Sequence, residues 1–301
     1  MVLLGVVFAQ QDLKKPGAGV IKFRFAAPNV PLLLVDVRVN GQGPYTFVLD
    51  TGARTCLVDP ELASAVGIAV LSSEERLGAG GPVHVGIGNA SIAMESKELS
   101  NVEVGISDEL GRISKAAAAA EIRGAIGFNF LHHYRGTFNF ARRELSLSNE
   151  DRASEDSGTT FALAGKKPLI TVPVHVNGKG PFTFVVDTGA SATVVSEGLA
   201  VRLLIPVLDV PGRAVGAGSS DIKMHVATLD ALAIGEAVVP KLPVGVVTFL
   251  GAISDQVGHQ IDGIVGFNYL QAFDCVIDYP NQKIILQRRR AVSQTEYPPH
   301  H

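Results

Sequence analysis

From Leu34 to Val39 (Leu-Val-Asp-Val-Arg-Val) and again from Thr171 to Val176 (Thr-Val-Pro-Val-His-Val), β-branched and polar residues alternate. A period of two sends successive side chains to opposite faces, so each stretch predicts a strand with one buried face. Asn40-Gly41 and Asn177-Gly178 follow, the dipeptide that suits a two-residue hairpin turn. On the returning strands Thr46, Val48 and Asp50 share a face, as do Thr183, Val185 and Asp187. Short helices are expected next, with Asp59 as cap, Pro60 in the first turn and Gly67 at the end of one, and Ser196 as the matching cap of the other. Two Gly-rich segments, Gly78-Ala79-Gly80-Gly81 and Gly216-Ala217-Gly218-Ser219, each lead into strand-like residues and predict mobile hairpins. Ser114 to Glu121, with five alanines, predicts one or two helical turns without a counterpart later in the chain. The sum is all-β with minor helix.

The pattern is duplicated. Residues 40–53 and 177–190 agree at 11 of 14 positions and both end in Asp-Thr-Gly-Ala. Gly78 matches Gly216 at a shift of 138 and Gly124 matches Gly263 at 139, so small insertions accumulate along the chain, as loops allow. Gly124-Ala125-Ile126-Gly127-Phe128-Asn129 and Gly263-Ile264-Val265-Gly266-Phe267-Asn268 close the two copies, each followed by a hairpin. Lobes at 31–149 and 168–288 are expected, joined by a linker at 150–167 rich in Ser, Asp, Glu, Thr and Gly. Residues 1–30 and 289–301 flank them.

Composition narrows the function. The 301 residues are 47% apolar, enough for two cores, and a net charge of −3 supplies no basic field for nucleic acid. Arg288-Arg289-Arg290, the only dense cationic run, reads as a solvated end. The eight histidines show no metal-ligand spacing. Cys56 and Cys275 stand at non-equivalent places, so two buried thiols are expected, with a single bridge left open. No apolar run reaches the roughly 18 residues that span a bilayer, and the lobes are expected to be soluble. Val7-Phe8-Ala9 fits an export cleavage site, but no charged segment precedes it. Residues 1–30 are therefore a signal remnant, a propeptide or an interface strand, and export to a periplasmic or extracellular space stays open.

Two similar carboxylates, Asp50 and Asp187, thus end two similar strands, and a twofold packing of the lobes would bring them face to face. At roughly 3 Å and an effective dielectric of about 20, two charges repel by about 5 kcal/mol, so both cannot ionise near neutral pH. One stays protonated as an acid while its neighbour serves as base. A single Asp at a turn is ordinarily structural; the matched pair is what points to catalysis.

Strand-Asp-Thr-Gly-Ala, the Gly-rich hairpin and the apolar-apolar-Gly segment before a short helix, present twice, resemble the retroviral-type aspartic proteases, or retropepsins, in a bacterial two-repeat form. The resemblance covers nearly all of 31–149 and 168–288. It implies the acid-protease fold, with two pseudo-twofold-related barrel-like lobes in one chain. It also implies an endopeptidase acting on a peptide or protein substrate through a water held between Asp50 and Asp187, without metal or cofactor, at a mildly acidic optimum. By resemblance, Thr51 and Thr188 bond across the lobe junction. Gly52 and Gly189 are expected to turn the chain beneath the carboxylates and offer amides to them. Ala53, Ala190, Arg54 and Ser191, with Gly78, Ala79, Gly80, Gly216, Ala217 and Gly218 of two flaps, are expected to meet substrate. Arg54 stands where viral members usually carry Asp; it either favours an acidic substrate residue or pairs with an internal carboxylate. Phe128 and Phe267 replace an Arg common in viral enzymes. The rival reading is a non-catalytic peptide-binding module of the same fold. A monomer with an internal pseudo-dimer is the expected state, with an interchain homodimer as the alternative.

Overall fold

The computed structural model describes residues 19–27, 30–116, 121–149, 158–164, 168–214 and 222–289. The cleavage-site motif near residue 9, the second Gly-rich tip with Gly216, Ala217 and Gly218, the polar part of the linker at 150–157 and the tail from 290 onward lie outside the described residues.

The alternating segments form strands Val30–Val39 and Gln42–Leu49 in one half and Leu169–Val176 and Lys179–Val186 in the other. Asn40 and Gly41 have φ of 49° and 74°, and Asn177 and Gly178 50° and 74°, the left-handed pair that a twisted two-residue hairpin needs. Each half builds an eight-stranded sheet of identical order. In the first, the order is Arg24–Ala27, Val30–Val39, Gln42–Leu49, Gly124–Ile126, Cys56–Val58, Lys97–Ile106, Gly81–Met94 and Ser72–Gly78. In the second it is Ala162–Ala164, Leu169–Val176, Lys179–Val186, Gly263–Val265, Val194–Ser196, Ala237–Val247, Ile222–Ile234 and Val207–Ala214. Extra pairings, Arg38 with Ala93 and His175 with Ala233, curl each sheet back on itself.

A third sheet joins the halves. Its six strands run Val20–Lys22, Glu144–Ser148, Arg135–Asn139, Phe273–Asp278, Lys283–Arg288 and Thr159–Thr160. The central antiparallel pair, Arg135 opposite Asp278 through Phe138 opposite Cys275, takes one strand from each repeat. Arg135 donates to Asp278 at 2.6 Å across this seam, where Asp278 is only 1% exposed. Phe128 meets Tyr279 and Phe140 meets Phe267 edge to face, at 5.7 and 5.5 Å between ring centroids. Aromatic pairs thus cross the junction at Phe128 and Phe267, and one apolar core runs through both halves. The repeats meet within one chain.

Asp59 and Ser196 cap their helices as expected, accepting from Leu62 N and Leu199 N. Of the helical turns expected at Ser114–Glu121, residues 117–120 lie outside the described residues; the described helix, Glu109–Ala116, begins before Ser114 and, against expectation, has a counterpart at Leu250–Val257. The shared signal is a serine. Ser114 Oγ donates to Leu110 O and accepts from Ile122 N, and Ser254 Oγ does the same with Leu250 O and Ile261 N. Apolar clusters seat both helices, Leu32, Val48, Leu110 and Ala125 in one half and Val185, Val247, Leu250 and Ile264 in the other. The expected linker is partly built into the sheets as Thr159–Thr160 and Ala162–Ala164, because Phe161 between them is buried against Tyr279. Cys56 and Cys275 are free and buried, and desolvation pushes both thiols up to about 12.

Candidate active site

Asp50 and Asp187 each follow the last residue of a strand whose neighbour continues the ladder: Asp50 N donates to Ile126 O and Asp187 N to Val265 O, both at 3.0 Å. Each chain then folds back so that two amides converge on its own carboxylate. Gly52 N and Ala53 N donate to Asp50 Oδ1 at 2.8 and 3.0 Å, and Gly189 N and Ala190 N to Asp187 Oδ1 at 2.7 and 3.2 Å. This fixes one oxygen of each carboxylate.

Between the loops, Thr51 and Thr188 interlock. Thr51 Oγ1 donates to Val186 O at 3.0 Å and accepts from Thr188 N at 3.0 Å; Thr188 Oγ1 donates to Leu49 O at 2.8 Å and accepts from Thr51 N at 3.1 Å. Both threonines are 1% exposed, so all four bonds are shielded from water.

The glycines lie in the expected turns and offer their amides as expected, and they serve a second purpose. Neither Gly52 nor Gly189 adopts positive φ. A Cβ on Gly52 would lie 2.6 Å from Asp187 Cγ, and one on Gly189 would lie 2.7 Å from Asp50 Cγ. Only a residue without a side chain lets the opposite carboxylate approach this closely.

The two carboxyl groups lie close together, each against the glycine of the opposite loop, and each acts on the other's protonation. Burial, then the charge of Asp187 and the bond to it, hold Asp50 well above the usual carboxylate range. Burial also raises Asp187, while the Gly189 amide and the bond from Asp50 pull it back. Both side chains keep partial exposure toward the cleft, yet the groups packed behind them deny them full hydration. A single proton held jointly by the pair fits these directions.

The pair lies on the floor of a cleft of about 690 Å³ lined by both lobes. Ala53, Arg54, Ala190, Ser191, Gly78 and Ala79 line it. Gly80, by contrast, is buried at the hairpin tip and is not part of the wall. The rest of the wall is mostly apolar, with Leu110 and Ile113 from one helix and Ile253 and Val257 from its counterpart.

Sequence reading missed several supporting residues. Asn129 accepts from Cys56 N and donates to Glu103 O, while Asn268 accepts from Thr193 N and donates to Pro243 O, each tying the strand after the Asp loop to its neighbour. The signal was present, since Asn follows Gly-Phe in both copies. Arg76, whose Nη1 donates to Thr55 Oγ1 at 2.7 Å, ties the first Gly-rich hairpin to the Asp50 loop, and nothing in the repeat pattern announced it. Among the described residues no group of three His, Cys, Asp or Glu could hold a metal, and no helix is long and apolar enough to cross a membrane.

No curated protein matches the chain. A family model described as aspartyl protease matches it twice, at 35–130 and 172–269, each span holding one Asp-Thr-Gly-Ala, one Gly-rich segment and one Gly-Phe-Asn segment. Two matches that together cover more than half of the sequence, on two lobes of like topology, place this chain in the aspartyl protease family.

Proposed function

We propose that the protein is an aspartic endopeptidase in which Asp50 and Asp187 share one proton and one water. The observation that carries this reading is the mutual approach of two amide-anchored carboxyl groups, both raised in pKa, on the floor of a cleft built by both lobes. The ionised member of the pair takes a proton from the water while the water oxygen attacks a peptide carbonyl carbon; the protonated member gives its proton to the carbonyl oxygen. The resulting diol collapses as the first carboxyl passes its proton to the amide nitrogen, the C–N bond breaks, and the second recovers a proton from a diol hydroxyl. The pair ends as it began, with no covalent intermediate.

The cleft favours an extended peptide, whose alternate side chains reach its two walls. The hairpin carrying Gly78 and Ala79 lines the cleft and is placed to cover a bound chain. The internal pairing of lobes makes the monomer the working unit. Incubating a denatured protein with the enzyme near pH 5 and mapping the products by mass spectrometry tests the reading. Discrete cleavages that vanish in Asp50→Asn support it; peptides bound but never cut would leave a binding module instead.

A further inference from the structure

The two walls of the cleft differ in kind. In the first lobe Arg54, Glu74, Arg76 and Glu103 form one charged network, and strand register places Ser191, Gly212, Ala214 and Pro243 at the matching positions of the second. Where Gly105 faces Arg76 Nη1, its counterpart Gly245 faces Met224 Sδ, so a guanidinium on one wall is answered by a thioether on the other.

Within the network the two arginines are served unequally. Arg76 takes Glu74 through Nε at 2.5 Å and Thr55 at 2.7 Å, and its side chain is only 12% exposed. Arg54 lies 3.8 Å from Glu74 and 4.0 Å from Glu103, distances of charge proximity rather than hydrogen bonding, and among the described residues it makes no hydrogen bond. Its side chain is 30% exposed and lines the cleft four positions after Asp50, whereas Glu74 and Glu103 do not line it. Glu109, the other acid on this wall, is 7% exposed and engaged in interactions of its own. The guanidinium is thus anchored by charge from behind while its donor fork stays unfilled beside the dyad. A carboxylate is the group that fills such a fork with two parallel bonds.

We infer that Arg54 recognises an acidic side chain of a bound peptide, on one side only of the bond held over Asp50 and Asp187. This rests on the peptidase reading for its ligand class. The opposite wall, with Met224, Phe249, Ile253 and Val257, takes an apolar side chain.

The test uses the full chain carrying Asp50→Asn, so that binding is read without cleavage, and fluorescent peptides matched except for Glu, Gln or Lys at each position along the cleft. At one position the Glu peptide should bind about tenfold more tightly than the Gln peptide. Arg54→Ser, which installs the residue of the second lobe, should bring that ratio near one, and Arg54→Glu should reverse it in favour of Lys, a gain that misfolding cannot produce. Equal affinity for Glu and Gln at every position, no peptide binding at all, or a ratio unmoved by Arg54→Ser overturns the inference. Failure of the peptidase reading shows separately, as peptides left intact by the unsubstituted enzyme.

Discussion

Gly52 abuts the carboxyl group of Asp187, and a single added methyl would sit 2.6 Å from its Cγ. Each lobe therefore carries, two residues after its own aspartate, the empty space that its partner's aspartate occupies.

Gly52→Ala is expected to push the pair apart. Overpacking of this kind costs about 1–3 kcal/mol, and a displacement near 1 Å at the reacting groups costs roughly 100-fold in rate. Peptide cleavage and urea unfolding, measured side by side, should show the loss of rate exceeding the loss of stability. Retained full activity would mean that close approach across the junction is unnecessary.

The interlocked threonines give a second expectation. Thr51→Val removes a hydroxyl that donates to Val186 O and accepts from Thr188 N, stranding two buried groups at about 1–3 kcal/mol each. Thr51→Ser keeps both bonds and should recover most of the stability in the same unfolding experiment. Equal behaviour of the two variants would show that packing, not bonding, matters there.

Folding takes up a proton at Asp50, because its folded pKa is raised above the unfolded value. The stability linked to that group is complete below the unfolded Asp value of about 3.9 and declines as pH rises through the folded value. Asp50→Asn imitates the protonated form without needing the proton. It should melt higher than the unsubstituted protein at pH 7, with the gap closing near pH 3. A gap independent of pH in calorimetry would contradict the shared proton.

Across the seam, Arg135→Leu leaves Asp278 buried without its 2.6 Å partner. Loss of one member of a buried pair costs about 3–5 kcal/mol. Since this pair joins the lobes, denaturant unfolding should also lose cooperativity, read as fluorescence and circular dichroism transitions that no longer coincide.

Much of this was legible in the residues. Alternation, Asn-Gly turns and the repeated Asp-Thr-Gly-Ala located the strands and both carboxylates, because strand period and turn chemistry are local properties. Phe128 and Phe267 gave no such signal: their partners, Tyr279 and Phe140, lie far along the chain, and only the six-stranded sheet brings them together. The helix counterpart at Leu250–Val257 goes unannounced because the alanine run is the conspicuous feature, whereas the signal that Glu109–Ala116 shares with it is a single serine. Gly52 does sit in the turn that its sequence suggests, but its contact with Asp187 is not legible there, because sequence cannot show what approaches from the other lobe.

A homodimer assembled from one repeat would write every wall residue twice, and any charge chosen for one end of its groove would reappear at the other. Carrying both halves on one polypeptide removes that constraint. A guanidinium can then stand on one wall with no equivalent on the other, and a groove so marked has distinguishable ends, which two identical subunits cannot provide.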